Sequence, residues 1–324
     1  MAIAAESGAP EAIFAPSPII VAEQDCVAHF QARHHSTMPI DSQQRLEHMM
    51  LFNRFFFEFE RSLQNLTCRQ FRYRVGVVIV EAYVILPRML PNTLLPVVIC
   101  NRGGNNDRDS AITYASLIDW HIPLAKQGFI VVASQYRGVD LDGSTSPLPL
   151  WQDEFGGQDV NDIKGLWPVI EALRAADAGR VGMMGFSRGG MMAFLAAKDM
   201  PQLKALVIKA GTIDLIDQAK VRPEMDNDVF ARMIPGYAIR KQQALAERTV
   251  HRWVAQLPAT LPILLLHGER DNRVKSAYSV ALAQRLTELN RPHKLVLYPG
   301  VGHDFGKYDE QSLTEAISWF KQFL

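Results

Sequence analysis

The run Gly185-Phe186-Ser187-Arg188-Gly189 is a G-x-S-x-G arrangement. A serine hydroxyl is a weak nucleophile at neutral pH and needs a base beside it. This spacing suits a serine on a sharp strand-to-helix turn, where only small flanking residues let the following helix pack close. An apolar segment precedes the serine, and Met191-Met192-Ala193-Phe194-Leu195-Ala196 continues beyond it as a helix. Among nine histidines, His303 follows the last apolar run, in Tyr298-Pro299-Gly300-Val301-Gly302-His303, and is the candidate base. Asp271, in His267-Gly268-Glu269-Arg270-Asp271, is the candidate for holding the imidazole's tautomer and stabilising its charged form. Glu269 and Asp304 are weaker rivals. His267 closes a buried strand and reads as a structural turn residue. His29, His34, His35 and His48 match no metal-ligand spacing, and no metal or other cofactor is expected.

A tetrahedral intermediate also needs hydrogen-bond donors aimed at its oxyanion. The backbone N–H of Arg188, at the helix start, is the first candidate. The second comes from Asn101-Arg102-Gly103-Gly104-Asn105, whose paired glycines let the backbone approach closely. Arg102 or Gly103 is the donor expected there, with a plain turn as the alternative. Trp151, Phe155, Met225, Phe230, Met233 and Tyr237 line a substrate pocket or form the core of an insertion; composition alone leaves both open.

The elements that must position these groups alternate. Strand candidates are 71–76, 78–86, 96–101, 129–134, 181–186, 204–210, 262–267 and 294–298. Helix candidates are 110–127, 159–176, 188–199, 276–290 and 310–323. Early strands without an intervening helix, followed by a βα series, imply an α/β fold: a mostly parallel, doubly wound sheet with helices on both faces. In that fold Ser187, Asp271 and His303 all fall at C-terminal strand ends, and their order along the chain is the α/β-hydrolase order. Residues 212–258 interrupt the rhythm and are read as a helical cap insertion. Residues 1–70 form an N-terminal extension ahead of a hydrolase domain at 71–324. Its helix, opened by Asp41 or Ser42, carries Phe52, Phe55, Phe56, Phe57 and Phe59 on more than one stripe. It packs on the core, lies over a pocket, or makes a homo-oligomer contact.

With 34 basic and 34 acidic residues, the formal charge is zero. That speaks against nucleic acid or an anionic surface as partner. No apolar run is long enough to span a bilayer, and residues 1–20 make a poor signal peptide. The three cysteines Cys26, Cys68 and Cys100 read as reduced thiols in a cytoplasmic protein without a disulfide framework, Cys100 as a buried small hydrophobe.

From about residue 75 onward the chain resembles the catalytic domain of the prolyl oligopeptidase family. The resemblance rests on Tyr136-Arg137-Gly138, on Asp153-Glu154-Phe155-Gly156-Gly157-Gln158-Asp159, on Gly185-Phe186-Ser187-Arg188-Gly189-Gly190, on His267-Gly268-Glu269-Arg270-Asp271 and on Gly302-His303. It implies metal-independent, serine-dependent hydrolysis of peptides, acyl-peptides or esters. Two departures push the reading toward a general esterase or acyl hydrolase. About 70 residues precede the domain, too few for the β-propeller that screens substrates in family peptidases. Arg188 and Arg102 stand where the family often carries Tyr, and His or Tyr. Arg137 and Asp159 are expected to tie loops together beneath the site. The expected substrate is a small ester, an amide or a short peptide. The competing reading from another class is a non-catalytic binding or scaffold protein on a hydrolase fold.

Overall fold

The computed structural model describes residues 12–36, 42–88, 93–105, 111–138 and 152–324. Nine strands form one sheet: β1 (Ile20–Asp25), β2 (Leu66–Val75), β3 (Val78–Pro87), β4 (Leu95–Asn101), β5 (Ile130–Ser134), β6 (Ala176–Phe186), β7 (Ala205–Lys209), β8 (Ile263–Gly268) and β9 (His293–Tyr298). Their order across the sheet is β1-β2-β3-β5-β4-β6-β7-β8-β9. The pairings β1–β2, β2–β3 and β3–β5 are antiparallel, and the remaining pairings are parallel. All eight expected strands are present. The β-branched runs of β4 and β5 lie in the middle of the sheet, and β5 is buried throughout, as strands covered on both faces must be.

Register matters most for the site. Asn101 pairs with Gly185, Phe186 with Lys209, and Gly268 with Tyr298. The C-terminal ends of β4, β6, β7, β8 and β9 therefore finish at one edge. The chain leaves that edge toward Ser187, Asp271 and His303, and in parallel α/β sheets it is where ligands bind. Two apolar clusters, one on each face, hold the sheet between its helices.

The N-terminal segment differs from expectation. The expected boundary at residue 70 falls inside β2, and β1 adds an antiparallel edge strand to the same sheet. The helix Cys26–Ser36, not anticipated, follows β1, and Cys26 is disulfide-bonded to Cys68 of β2. The expectation of three reduced thiols is thus corrected, and with it the cysteine argument for a reducing compartment. The odd count concealed the pair, because chain spacing carries no information on which thiols meet. Cys100 is free and buried, and burial pushes its thiol up to about 12. The Phe-rich helix Ser42–Ser62 turns Phe56 and Phe59 inward, with Leu63 buried just past its end, and stacks Phe52 on His34. Phe55 and Phe57 are exposed. Among the described residues, no helix is long and apolar enough to cross a membrane.

Buried imidazoles, His121 among them, give the fold a pH dependence. His121 lies inside the helical stretch Leu117–His121, its Nδ1 3.0 Å from the Ser116 carbonyl. Burial lowers it from 6.5 to about 4. It stays neutral in the fold, while the unfolded chain takes up a proton on the same ring. The contribution of His121 to stability therefore falls as pH drops from about 6.5 toward 4, by up to about 3 kcal/mol. Urea unfolding at pH 7 and pH 4.5 checks this. His121→Gln should shrink the stability difference between the two pH values by roughly 2 kcal/mol; an unchanged difference would contradict it.

Candidate active site

Ser187 sits between β6 and the helix Arg188–Ala197 with φ 54° and ψ −123°. A non-glycine residue in this region is strained, and the neighbouring packing fixes it there. A Cβ on Gly185 would come within 2.1 Å of the Gly189 carbonyl oxygen, and one on Gly189 within 2.1 Å of the Asn101 carbonyl oxygen. The two glycines of the motif are steric requirements of the turn.

The imidazole of His303 stands between the other two groups. Its Nε2 is 3.0 Å from Ser187 Oγ, and its Nδ1 is 2.7 Å from Asp271 Oδ2. A carboxylate only accepts, so Nδ1 carries the hydrogen and Nε2 presents a lone pair to the serine hydroxyl. Asp271 is itself held firmly. Its Oδ1 accepts from the backbone N–H of Arg273 (2.9 Å) and of Val274 (2.8 Å). Buried His267 places Nε2 3.2 Å from Oδ2 and 2.9 Å from the Val274 carbonyl. Two acceptors there require the proton on Nε2, leaving Nδ1 to accept from Ser279 Oγ at 2.7 Å. Burial alone would raise the Asp271 carboxyl. Hydrogen bonds from His267, His303 and Val274 outweigh burial and hold it well below the usual carboxylate range. The structural reading of His267 thus gains a definite content, since it orients Asp271. The rivals stand apart: Glu269 is exposed, and Asp304 is exposed and faces Arg273.

The backbone of Gly103 comes close to the serine, because a Cβ there would lie 3.3 Å from Ser187 Cβ. The Arg188 N–H opens its helix, where N–H groups have no intrahelical acceptor. Both guanidinium groups are engaged elsewhere. Arg102 donates through Nε and Nη2 to the Gln135 carbonyl (2.9 and 2.7 Å) and through Nη1 to that of Gly103 (3.0 Å). Arg188, 1% exposed, donates to Asp153 and to Asp159 (2.8 Å), and through Nη1 to the Gly104 carbonyl (3.2 Å). Burial raises Asp153 against the pull of Arg188. Burial pushes Asp159 the same way, but Arg188 and the N–H groups of Gly156 and Gly157 outweigh it and leave Asp159 lowered. Arg248 grips the same loop through the carbonyls of Phe155 (2.7 Å) and Glu154 (3.2 Å). Arg137 is paired with Asp162 at 2.7 Å.

A cavity of about 370 Å³ opens over Ser187 and His303. It is lined by Phe155, Phe186, Thr212, Gln218, Arg222, Met225, Arg273 and Val274, among others. Of the pocket candidates, Phe155 and Met225 reach it. Phe230 stands behind Phe155, ring to ring at 5.2 Å. Met233 lines a different cavity, and the Tyr237 hydroxyl donates to Asp226. These three are corrected from pocket wall to supporting packing, since core and pocket share an apolar composition. Trp151 lies outside the described residues. Phe186 and Arg273 were passed over, although each adjoins a motif: Phe186 is the variable position before the serine, and Arg273 follows Asp271 by two.

A mostly parallel sheet of this order, with a serine on a strained turn at its C-terminal edge, defines an α/β-hydrolase. Residues 116–324 match the Prolyl oligopeptidase family, and the chain belongs to it and so to the serine hydrolases. It is 28% identical over 202 residues to the uncharacterized peptidase YtmA of Bacillus subtilis (strain 168), covering 62% of this chain and 75% of that one. It is 27% identical over 252 residues to the acylamino-acid-releasing enzyme of Sus scrofa, covering 74% of this chain and 33% of that enzyme. The chain thus spans a third of that relative's length. Its fold resembles that of a puromycin-hydrolyzing peptidase of Mycobacterium tuberculosis, with TM-score 0.67, 23% identity, and coverage of 80% of this chain and 40% of that one.

Proposed function

We propose that the chain hydrolyses an ester or amide acyl bond through an acyl-enzyme on Ser187, with His303 as general base and Asp271 orienting it. The observation that carries this is the continuous hydrogen-bonded relay from Asp271 through His303 to Ser187. Ser187 Oγ attacks the acyl carbon as its proton passes to His303 Nε2. The carbonyl π pair moves onto oxygen, where the N–H groups of Arg188 and Gly103 are the proposed donors. When the tetrahedral intermediate collapses, the bond to the leaving oxygen or nitrogen breaks, and Nε2 returns the proton to that atom. Water then repeats the sequence on the acyl-enzyme, with His303 again as base. The guanidinium groups of Arg102 and Arg188 take no part, because both are committed to the surrounding loops.

A serine peptidase acting on short or acylated peptides is the second reading within this class. The family and the relative named an acylamino-acid-releasing enzyme support it. A fluorophosphonate should modify one serine, mapped to Ser187 by peptide mass spectrometry. A panel of acyl esters and N-acylated dipeptides then separates the two readings. Intact protein inert toward both probe and panel would instead support the scaffold alternative.

A further inference from the structure

A second chamber adjoins the first across Phe186 and Gly104, which line both. Its volume is about 350 Å³, at the small end of ligand pockets (roughly 300–1,000 Å³). Ala111, Ile112, Cys100, Met184 and Trp120 make it mostly apolar. An aromatic wall runs into it from the site. The Phe186 ring lies 5.0 Å from the His303 ring on one side and 5.8 Å from Trp120 on the other. Trp120 is held from behind by Lys209, whose Nζ is 3.6 Å from its ring centroid and paired with Asp309.

The apolar lining side chains Cys100, Ile112, Met184, Trp120 and Phe186 all lie on one face of the sheet, so the chamber runs continuously from the serine along that face. The charges nearby select against an anion. Asp119 is exposed at the lining, His121 is neutral, and the Arg102 guanidinium is turned onto carbonyls of the protein.

We propose that this chamber is the leaving-group subsite and takes an uncharged aromatic alcohol or amine, whose ring packs along the Phe186 and Trp120 wall. The proposal rests on Ser187 being the nucleophile. The first cavity then holds the acyl part, and the scissile bond points past Phe186. Substrates are accordingly aryl or arylmethyl esters and amides.

Two phosphorylating probes separate the subsite from the nucleophile assignment. Diethyl fluorophosphate and diethyl 4-nitrophenyl phosphate leave the same diethylphosphoryl group on Ser187. In each, the Oγ–P bond forms, the serine proton passes to His303, and the bonding pair departs with fluoride or with 4-nitrophenolate. Only the second leaving group needs the chamber. Ala111→Phe fills it and should lower the ratio of the two inactivation rates, aryl over fluoride, by about tenfold or more. Trp120→Ala, which removes the far wall, should lower the same ratio several-fold. A ratio unchanged in both variants, with Ser187 still modified, would overturn the subsite alone. If Ala111→Phe reacts with neither probe, Trp120→Ala decides by the same ratio. Wild-type chain that reacts with neither probe would overturn the nucleophile assignment and the subsite with it.

Discussion

Ser187→Ala should lower kcat on any acyl substrate by on the order of 10⁶-fold, and His303→Ala should lower it equally. In the proposed mechanism the two groups act as one unit. Without the imidazole the hydroxyl keeps its proton, and without the hydroxyl the imidazole has nothing to deprotonate but water. The double variant Ser187→Ala/His303→Ala should therefore be no slower than either single. Asp271→Asn should lose somewhat less, on the order of 10⁴-fold. An amide there offers a donor as well as an acceptor, and it no longer dictates that Nδ1 carries the hydrogen. Rates above the uncatalysed reaction that survive in all of these would come from the backbone donors and from substrate binding. Steady-state kinetics on a single ester suffice. Additive losses, or a single variant retaining a tenth of the activity, would show that the 2.7 and 3.0 Å contacts do not work as a proton relay.

The hydrogen-bonded trio proposed as the relay was legible because each member belongs to a local pattern that the sequence displays. Ser187 has its glycines, Asp271 follows the fully buried strand β8, and His303 follows the apolar run of the edge strand β9. The polarity of a parallel sheet then brings all three to one edge. Where local pattern is weak, reading stopped. In β1, Val21 to Asp25 face solvent, so Ile20-Val21-Ala22-Glu23-Gln24-Asp25 shows no alternation to betray an edge strand. The helix after it is tied down by a disulfide whose pairing is a tertiary fact. Phe230, Met233 and Tyr237 were indistinguishable from pocket residues, because an aromatic ring buried against another ring and one facing a substrate need the same chemistry. The two arginines beside the proposed oxyanion loop drew attention as charges near the proposed chemistry. Their partners lie far off along the chain: Asp153 and Asp159 for Arg188, and the Gln135 carbonyl for Arg102. Those pairings exist only in the folded protein.

That pairing makes Arg188→Met the most destabilising single change expected here. The substitution keeps the backbone N–H at the helix start, so it separates the donor from the guanidinium. What it removes is one cation shared by two buried carboxylates, together with the bond to the Gly104 carbonyl. Asp153 and Asp159, both buried, would then face each other as like charges with little solvent to screen them. Breaking a buried pair by deleting one partner costs about 3–5 kcal/mol. The expected thermal shift is roughly 4–8 °C downward, read by calorimetry or circular dichroism. Arg188→Lys should rescue little, since one ammonium cannot reproduce the planar fork that reaches both carboxylates and a carbonyl. Asp153→Asn placed in the Arg188→Met background should recover part of the loss, because it removes the carboxylate that burial already raises. A melting temperature within one or two degrees of wild type for Arg188→Met would mean that the pair contributes no net stability. If the shift appears, activity should fall further than stability accounts for: the same guanidinium anchors Gly104, beside the proposed donor Gly103, and the loop that carries Phe155 into the acyl cavity.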